Sequence, residues 1–386
     1  MNTNDNRQNA HNEIDRIFKV LLPARNMAER PEQAALCHRM LDAMVEGGIA
    51  LCDAGTGIGK TYAYLVAGTV YSRFRAACGL ERKPTVSLFH QGHPDMVFYT
   101  EEDTHGGTML CATIADLTAQ LRHTLWQQER PAVLTSATLA VGKDFRRFKE
   151  ETGLLTDSRV TESVALSPFD YQRNCLLYLP QFPPRQKAAA YYDELAKEIA
   201  ALLDAAQGHA LALFTSYAAM SAVKERLPGH GLRYPLFTMG RSAIHTTEQF
   251  KASPGSVLLA AGAAWEGFDF PGDCVSLLII PRLPFAVPDA LKEKERENHP
   301  TLRLFIRAVV VPEMQIKLKQ GFGRAIRTET DTCVVAILDE RAVKGKRYSR
   351  DVLAALPEMP VTGSLGDVAR FIRQVKGPDY FREASA

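Results

Sequence analysis

Short apolar, β-branched runs alternate with helix-period segments over most of this chain. Continuous apolar runs suit strands covered on both faces, so the alternation predicts βα units feeding a parallel sheet with helices on either side, an α/β fold. Strands are expected at residues 49–52, 86–89, 96–99, 132–134, 211–214, 257–260, 275–280 and 334–338. Over 187–206, Leu195, Ile199, Leu202 and Leu203 share one helical face and Gly208 follows, the pattern of an amphipathic helix with a glycine stop. Pro168, Pro180, Pro183 and Pro184 interrupt the rhythm and stiffen a connection. They divide the chain into expected domains at 1–172 and 173–386, and the tail beyond Gly377 is expected to fray.

The 386 residues suit two domains, and 46% apolar with 23% charged residues suits two buried cores rather than disorder, a fibre or a disulfide scaffold. Net charge is +2, so no global excess of positive charge announces a polyanion, and any nucleic-acid site must be local. The longest apolar stretches, near 256–265 and 274–280, fall short of the about 18 residues a membrane span needs. No membrane contact is expected. The polar, acid-bearing N-terminus lacks a secretory signal pattern, which leads to the expectation of a cytoplasmic location. Seven cysteines without a CxxC pair suit reduced core thiols rather than a metal or disulfide framework.

Candidate chemistry begins where an apolar run leads into AGTGIGKT and then a helix-forming segment. Strand, glycine-rich loop and helix in that order are the context of a phosphate-binding loop. Gly55, Thr56, Gly57, Ile58 and Gly59 would turn backbone N–H groups around a phosphate, and the helix start adds its positive dipole end. Lys60 would neutralise the β and γ phosphates, and the Thr61 hydroxyl would ligate Mg²⁺. The first glycine of the usual pattern is Ala54, and a ligand-free glycine-rich turn is the alternative. Upstream, Arg30 and Gln33 stand in ERPEQ; the Gln33 amide can donate to and accept from an adenine edge, or it is a surface helix residue. Near the other end, QGFGRAIR sets Arg324 and Arg327 three apart on a helical face, the groups a γ-phosphate transition state needs, or a solvated basic helix.

These words, with TSATL, SPFDY, FTSY, AWEGFDFPGD, RLPF and AILDER in their present order, resemble the DinG/XPD-like branch of superfamily 2 helicases, DinG-type bacterial helicases most closely, from about residue 28 to residue 342. The resemblance implies two RecA-like lobes, ATP with Mg²⁺ as cofactors, and ATP-driven 5′ to 3′ movement on single-stranded or forked DNA. AGTGIGKT matches motif I, RPEQ the adenine-reading element, TSATL motif III, AWEGFDFPGD motif V, and QGFGRAIR motif VI, whose Gln320, Arg324 and Arg327 would face ATP. Thr215, Ser216 and Arg282 are the DNA contacts it implies, with a strand end as the alternative for FTSY. A monomer is expected.

The family pattern also has an iron–sulfur insertion, an arch domain and a DEAH box between motifs I and III. The interval from Lys60 to Ser136 has room for about two βαβ units. It holds Cys78 and Cys111, too few for a four-thiolate cluster, so no cluster is expected in this chain. No DEAH or DEAD string occurs. Acids follow apolar runs twice: Glu101, Glu102 and Asp103, which are either the missing metal-binding strand end or a solvated hairpin, and Asp339 with Glu340, placed after motif VI. Asp269 either holds the motif V loop against the nucleotide or the motif VI arginines, or is a plain turn residue. His90 and His93 are too few for a metal site, and KGKRYSR over 344–350 is a basic patch or a solvated loop. Two functions follow: a minimal DinG-like helicase, or a nucleotide- and nucleic-acid-binding module deficient in hydrolysis.

Overall fold

The computed structural model describes residues 3–25, 27, 30–54, 60–78, 96–102, 108–114, 117–127, 130–186, 189–240, 243–265, 267–270 and 272–383. The expected strand at 86–89, the histidines His90 and His93, Asp103 and the loop residues Gly55, Thr56, Gly57, Ile58 and Gly59 lie outside them. Two compact units emerge: Met1–Ser167 with Val287–Val310, and Pro168–Ala286 with Val311–Ala386.

In the first unit β1 (Ile49–Ala54) is followed by the antiparallel pair β2 (Met96–Glu102) and β3 (Thr108–Ile114), then β4 (Ala132–Ser136) and β5 (Val160–Ala165). β1 lies between β4 and β5, parallel to both. Side chains alternate across a strand, and β1 shows why its run is continuously apolar. Ala50 and Cys52 join a cluster with Ile14, Phe18, Leu36 and Met40, whereas Ile49 and Leu51 join Trp126, Phe145 and Leu154 on the other face. Both faces are covered, so neither can be polar. The indole of Trp126 reaches the carbonyl of Thr152 at 2.6 Å, which satisfies its one buried donor.

The second unit contains β6 (Cys175–Tyr178), β7 (Ala210–Phe214), β8 (Leu236–Thr238), β9 (Val257–Ala261), β10 (Leu277–Ile280), β11 (Cys333–Ile337) and β12 (Val361–Thr362), all parallel in the order β12-β6-β11-β10-β7-β9-β8. β7, β9, β10 and β11 are buried along their whole length. The helix Tyr191–Ala206 lays Leu195, Ile199, Leu202 and Leu203 on this sheet. Its stop is steric: Gln207, Gly208 and His209 are all left-handed, and a Cβ on Gly208 would fall 1.9 Å from the Gly255 carbonyl.

Three expectations are corrected. The 96–99 run forms a strand, but in an antiparallel hairpin instead of the parallel sheet. The proline-bracketed segment is no simple connection, because it contains β6, an interior strand between β12 and β11; four buried residues are too short to show a period. The tail is ordered as the helix Pro378–Glu383, because Tyr380 is an apolar anchor that stacks on His209 at 4.1 Å and donates to the Ala206 carbonyl at 2.6 Å. No helix among the described residues is long and apolar enough to cross a membrane.

Candidate nucleotide and nucleic-acid site

β1 carries the chain to Ala54, and Lys60 opens the helix Lys60–Ala77, so the strand and helix that frame a phosphate-binding loop are both present, with Thr61 in the first turn. Asp53 pairs in register with Ser136, which brings TSATL to the edge of the sheet where that loop begins. There the Ser136 and Thr138 hydroxyls lie 3.1 Å apart, and the Thr138 N–H donates to Ser136 Oγ at 3.3 Å. Arg30 is the N-cap of the helix Pro31–Val45, its carbonyl accepting from Gln33 N–H at 3.0 Å. Gln33 is buried, so its alternative reading as a surface residue falls.

Glu101 and Glu102 belong to a separate two-stranded sheet. Glu101 and Glu102 lie opposite Met109 and Thr108 in the β2–β3 hairpin, as the hairpin alternative requires. The strands that flank β1 end instead in Ser136 and Ala165. Among the described residues, no group of three or more His, Cys, Asp or Glu could hold a metal ion.

The second unit brings motifs V and VI together. After β9, the turn Gly262–Trp265 buries the Trp265 ring, whose indole N–H donates to the Phe214 carbonyl at 2.9 Å. The ring packs on Gly321, where an added Cβ would sit 2.7 Å from Trp265 Cζ3. Only a residue without a side chain lets the helix Val311–Phe322 come this close. Gln320 is half-buried on that helix. Past its end, the Arg324 guanidinium donates to the Phe268 carbonyl, and Arg327 Nη2 donates to the same oxygen at 3.0 Å. Arg327 Nε also lies 2.8 Å from Asp269 Oδ1, so Asp269 is an ion-pair partner beyond a turn residue. The cluster thus brings two guanidinium groups and one carboxylate around the Phe268 carbonyl. Sequence reasoning missed two groups that shape it: Trp265, and buried Asp331, which accepts from the Arg327 and Thr328 N–H groups at 2.8 and 2.9 Å and from Thr328 Oγ1 at 2.7 Å. The signal for Asp331 was the turn-forming spacing of Thr328 and an Asp three residues on.

Thr215 is half-buried at the end of β7, and exposed Ser216 is the N-cap of the helix Tyr217–Lys224, its Oγ accepting from Ala219 N–H at 3.2 Å. Arg282, just after β10, donates to Gln186 Oε1 at 3.0 Å. β7 and β10 are parallel neighbours, so all three residues share the carboxyl edge of one sheet, where open α/β folds bind ligands. The cap role makes its own prediction. Ser216→Ala should cost about 1 kcal/mol in urea unfolding through the lost cap.

Comparison with known proteins fits this geometry. The Helicase C-terminal domain family matches residues 199–359, the part that holds β7 to β11 and the arginine cluster. The chain is 34% identical over 248 residues to the ATP-dependent DNA helicase YoaA of Haemophilus influenzae, covering 64% of this chain and 38% of that protein. It is 31% identical over 290 residues to the ATP-dependent helicase DinG of Mycobacterium tuberculosis, covering 74% and 43%. The chain is similar to DinG/XPD-like members of superfamily 2. The solved structure described as XPD_APO aligns with a TM-score of 0.54 at 14% identity over 87% of this chain and 69% of that one, which shows the shared fold. The two units of this DinG/XPD-like chain are accordingly RecA-like. The chain spans about two fifths of the length of these curated relatives, 38% and 43%.

Proposed function

We propose that this chain is an ATP-dependent DNA helicase core of DinG type, coupling ATP hydrolysis to 5′ to 3′ movement along single-stranded DNA in the cytoplasm. The observation that carries the reading is the cluster in which Arg324 and Arg327 converge on the Phe268 carbonyl beside Asp269. A partly buried pair of guanidinium forks suits a phosphate, whose oxygens would replace the carbonyl as acceptor.

The remaining roles follow the family pattern. Lys60 and the N–H groups of Gly55, Thr56, Gly57, Ile58 and Gly59 hold the phosphates, Arg30 and Gln33 meet the adenine, and Gln320, Arg324 and Arg327 meet the terminal phosphate. Asp269 orients Arg327. Bound Mg²⁺ would neutralise phosphate charge, with Thr61 as its protein ligand, and ATP supplies the free energy. Thr215, Ser216 and Arg282 contact the DNA backbone through hydroxyl and guanidinium groups, a mode that needs little excess charge.

A second reading is favoured by one observation: β2, with Glu101 and Glu102, pairs with β3 and not with the strands beside β1. The acid pair that holds the cation and polarises water in such enzymes thus has no counterpart at the ends of β4 and β5. On that reading the chain binds nucleotide and DNA without turnover. Phosphate release from ATP, measured with and without single-stranded DNA, separates the two. The helicase reading expects DNA-stimulated release lost in Lys60→Ala; equal background release in both proteins sinks it. Mg²⁺-dependent thermal stabilisation by ATP without turnover supports the second.

A further inference from the structure

The sheet edge that carries Thr215, Ser216 and Arg282 also carries the loop after β11. Because β10 and β11 are parallel neighbours, Arg282 and residues 339–350 emerge side by side. Within 344–350 lie Lys344, Lys346, Arg347 and Arg350, all exposed, with no acid among them. This loop and the first turn of the helix Ser349–Ala355 together hold four positive charges, while the whole chain has a net charge of +2.

Some surface cations elsewhere pair with acids, Lys294 with Glu297, Arg146 with Glu150, Arg233 with Asp204 and Arg370 with Asp367, while others such as Lys143 and Arg303 stand singly among the described residues. None of the four cations at 344–350 forms an ion pair with a described residue. The loop is also closed. Lys346 N–H donates to the Val343 carbonyl at 2.9 Å, Tyr348 N–H to the Arg341 carbonyl at 3.1 Å, and Gly345 supplies the left-handed turn at φ 81°. Buried Tyr348 anchors it from below, its ring 4.8 Å from Phe285 and 5.1 Å from the Arg347 guanidinium. Arg341 stacks on Phe285 at 4.7 Å and pairs with buried Asp339 at 2.7 Å, so it belongs to the support and not to the exposed set. An aromatic and ionic base thus presents three cations on a closed turn and a fourth, Arg350, on the helix start beside it.

We infer that Lys344, Lys346, Arg347 and Arg350 form a phosphate-binding patch for the backbone of single-stranded DNA, extending the contact surface beyond Thr215, Ser216 and Arg282. The inference rests on the DNA-binding part of the reading above. Each phosphate neutralised contributes about 0.7 to the slope of log K against log salt for single strands.

The test is the full chain titrated with a labelled oligothymidylate across a potassium chloride series, comparing wild type with Lys346→Gln/Arg347→Gln and Lys344→Gln/Arg350→Gln. Arg370→Gln, which removes a paired charge elsewhere, is the control, and melting temperature checks the fold. Each double variant is expected to flatten the salt slope by about 1.4, with weaker binding at low salt, while the control keeps the wild-type slope. Wild-type slopes in both double variants overturn the patch and leave the helicase reading standing. If wild type itself binds no DNA, the reading and the patch fall together. Loss of binding to phosphatidylserine vesicles with an unchanged DNA slope gives the patch to a membrane surface and overturns it too.

Discussion

Arg324→Ala is expected to lower DNA-stimulated ATP turnover by about 10³-fold, the lower end of what an arginine supplied to a phosphoryl-transfer transition state contributes. The guanidinium shares the Phe268 carbonyl with Arg327, and Asp269 compensates one of the two charges. A negative charge developing on phosphate would recruit the Arg324 fork in place of that carbonyl. Nucleotide affinity should change little, because the effect belongs to the transition state. Steady-state phosphate release with saturating single-stranded DNA, set beside binding of a fluorescent ATP analogue, separates the two quantities. Arg324→Lys should fail to restore turnover, since a lysine lacks the planar fork. Unaltered turnover in Arg324→Ala would remove this residue from the reaction.

Asp339→Ala is expected to destabilise the second unit by about 3–5 kcal/mol, the cost of breaking a buried pair from one side. The Asp339 side chain is fully buried and accepts from Leu283 N–H at 2.9 Å, from Arg341 N–H at 2.9 Å and from Arg341 Nε and Nη2 at 2.9 and 2.7 Å. Burial pushes this carboxyl up, but the hydrogen-bonded Arg341 guanidinium and the two backbone N–H groups outweigh it and hold it below the usual carboxylate range. A depressed folded value contributes stability that is complete above the unfolded value of about 3.9 and is lost as pH falls through the folded one. Urea unfolding should therefore weaken in wild type below about pH 4, and Asp339→Asn should lack that part of the acid limb. Parallel acid limbs in the two proteins would refute this account.

The outcome for Asp339 shows where the sequence was informative. Its position after motif VI argued against a catalytic role, and its burial against Arg341 agrees. Continuous apolar runs such as β7, β9 and β11 were legible because a strand covered on both faces has no polar alternative. β5 was not: Thr161, Glu162 and Ser163 make half of it polar, and it stands at one end of the three described strands of its sheet. At the site, Arg324, Arg327 and Asp269 could be named because the motif words carry them. Trp265 stood in a motif word without a role and Asp331 was marked by turn spacing alone, because their work is done through a backbone carbonyl and backbone N–H groups.

The passage of the chain between units limits how the protein can be cut. Val287–Val310 lies between β10 and β11 in sequence but packs with the first unit, where Glu295 meets Arg147 at 2.8 Å. The covalent thread therefore changes unit three times, and no single internal cleavage separates the two. A fragment ending near Ser167 would lack the helix Ala290–Glu297, and one beginning at Pro168 would carry that helix without its partners. Independent expression of the second unit calls for joining Ala286 to Val311 through a short designed loop, a closure whose entropic cost grows slowly with its length.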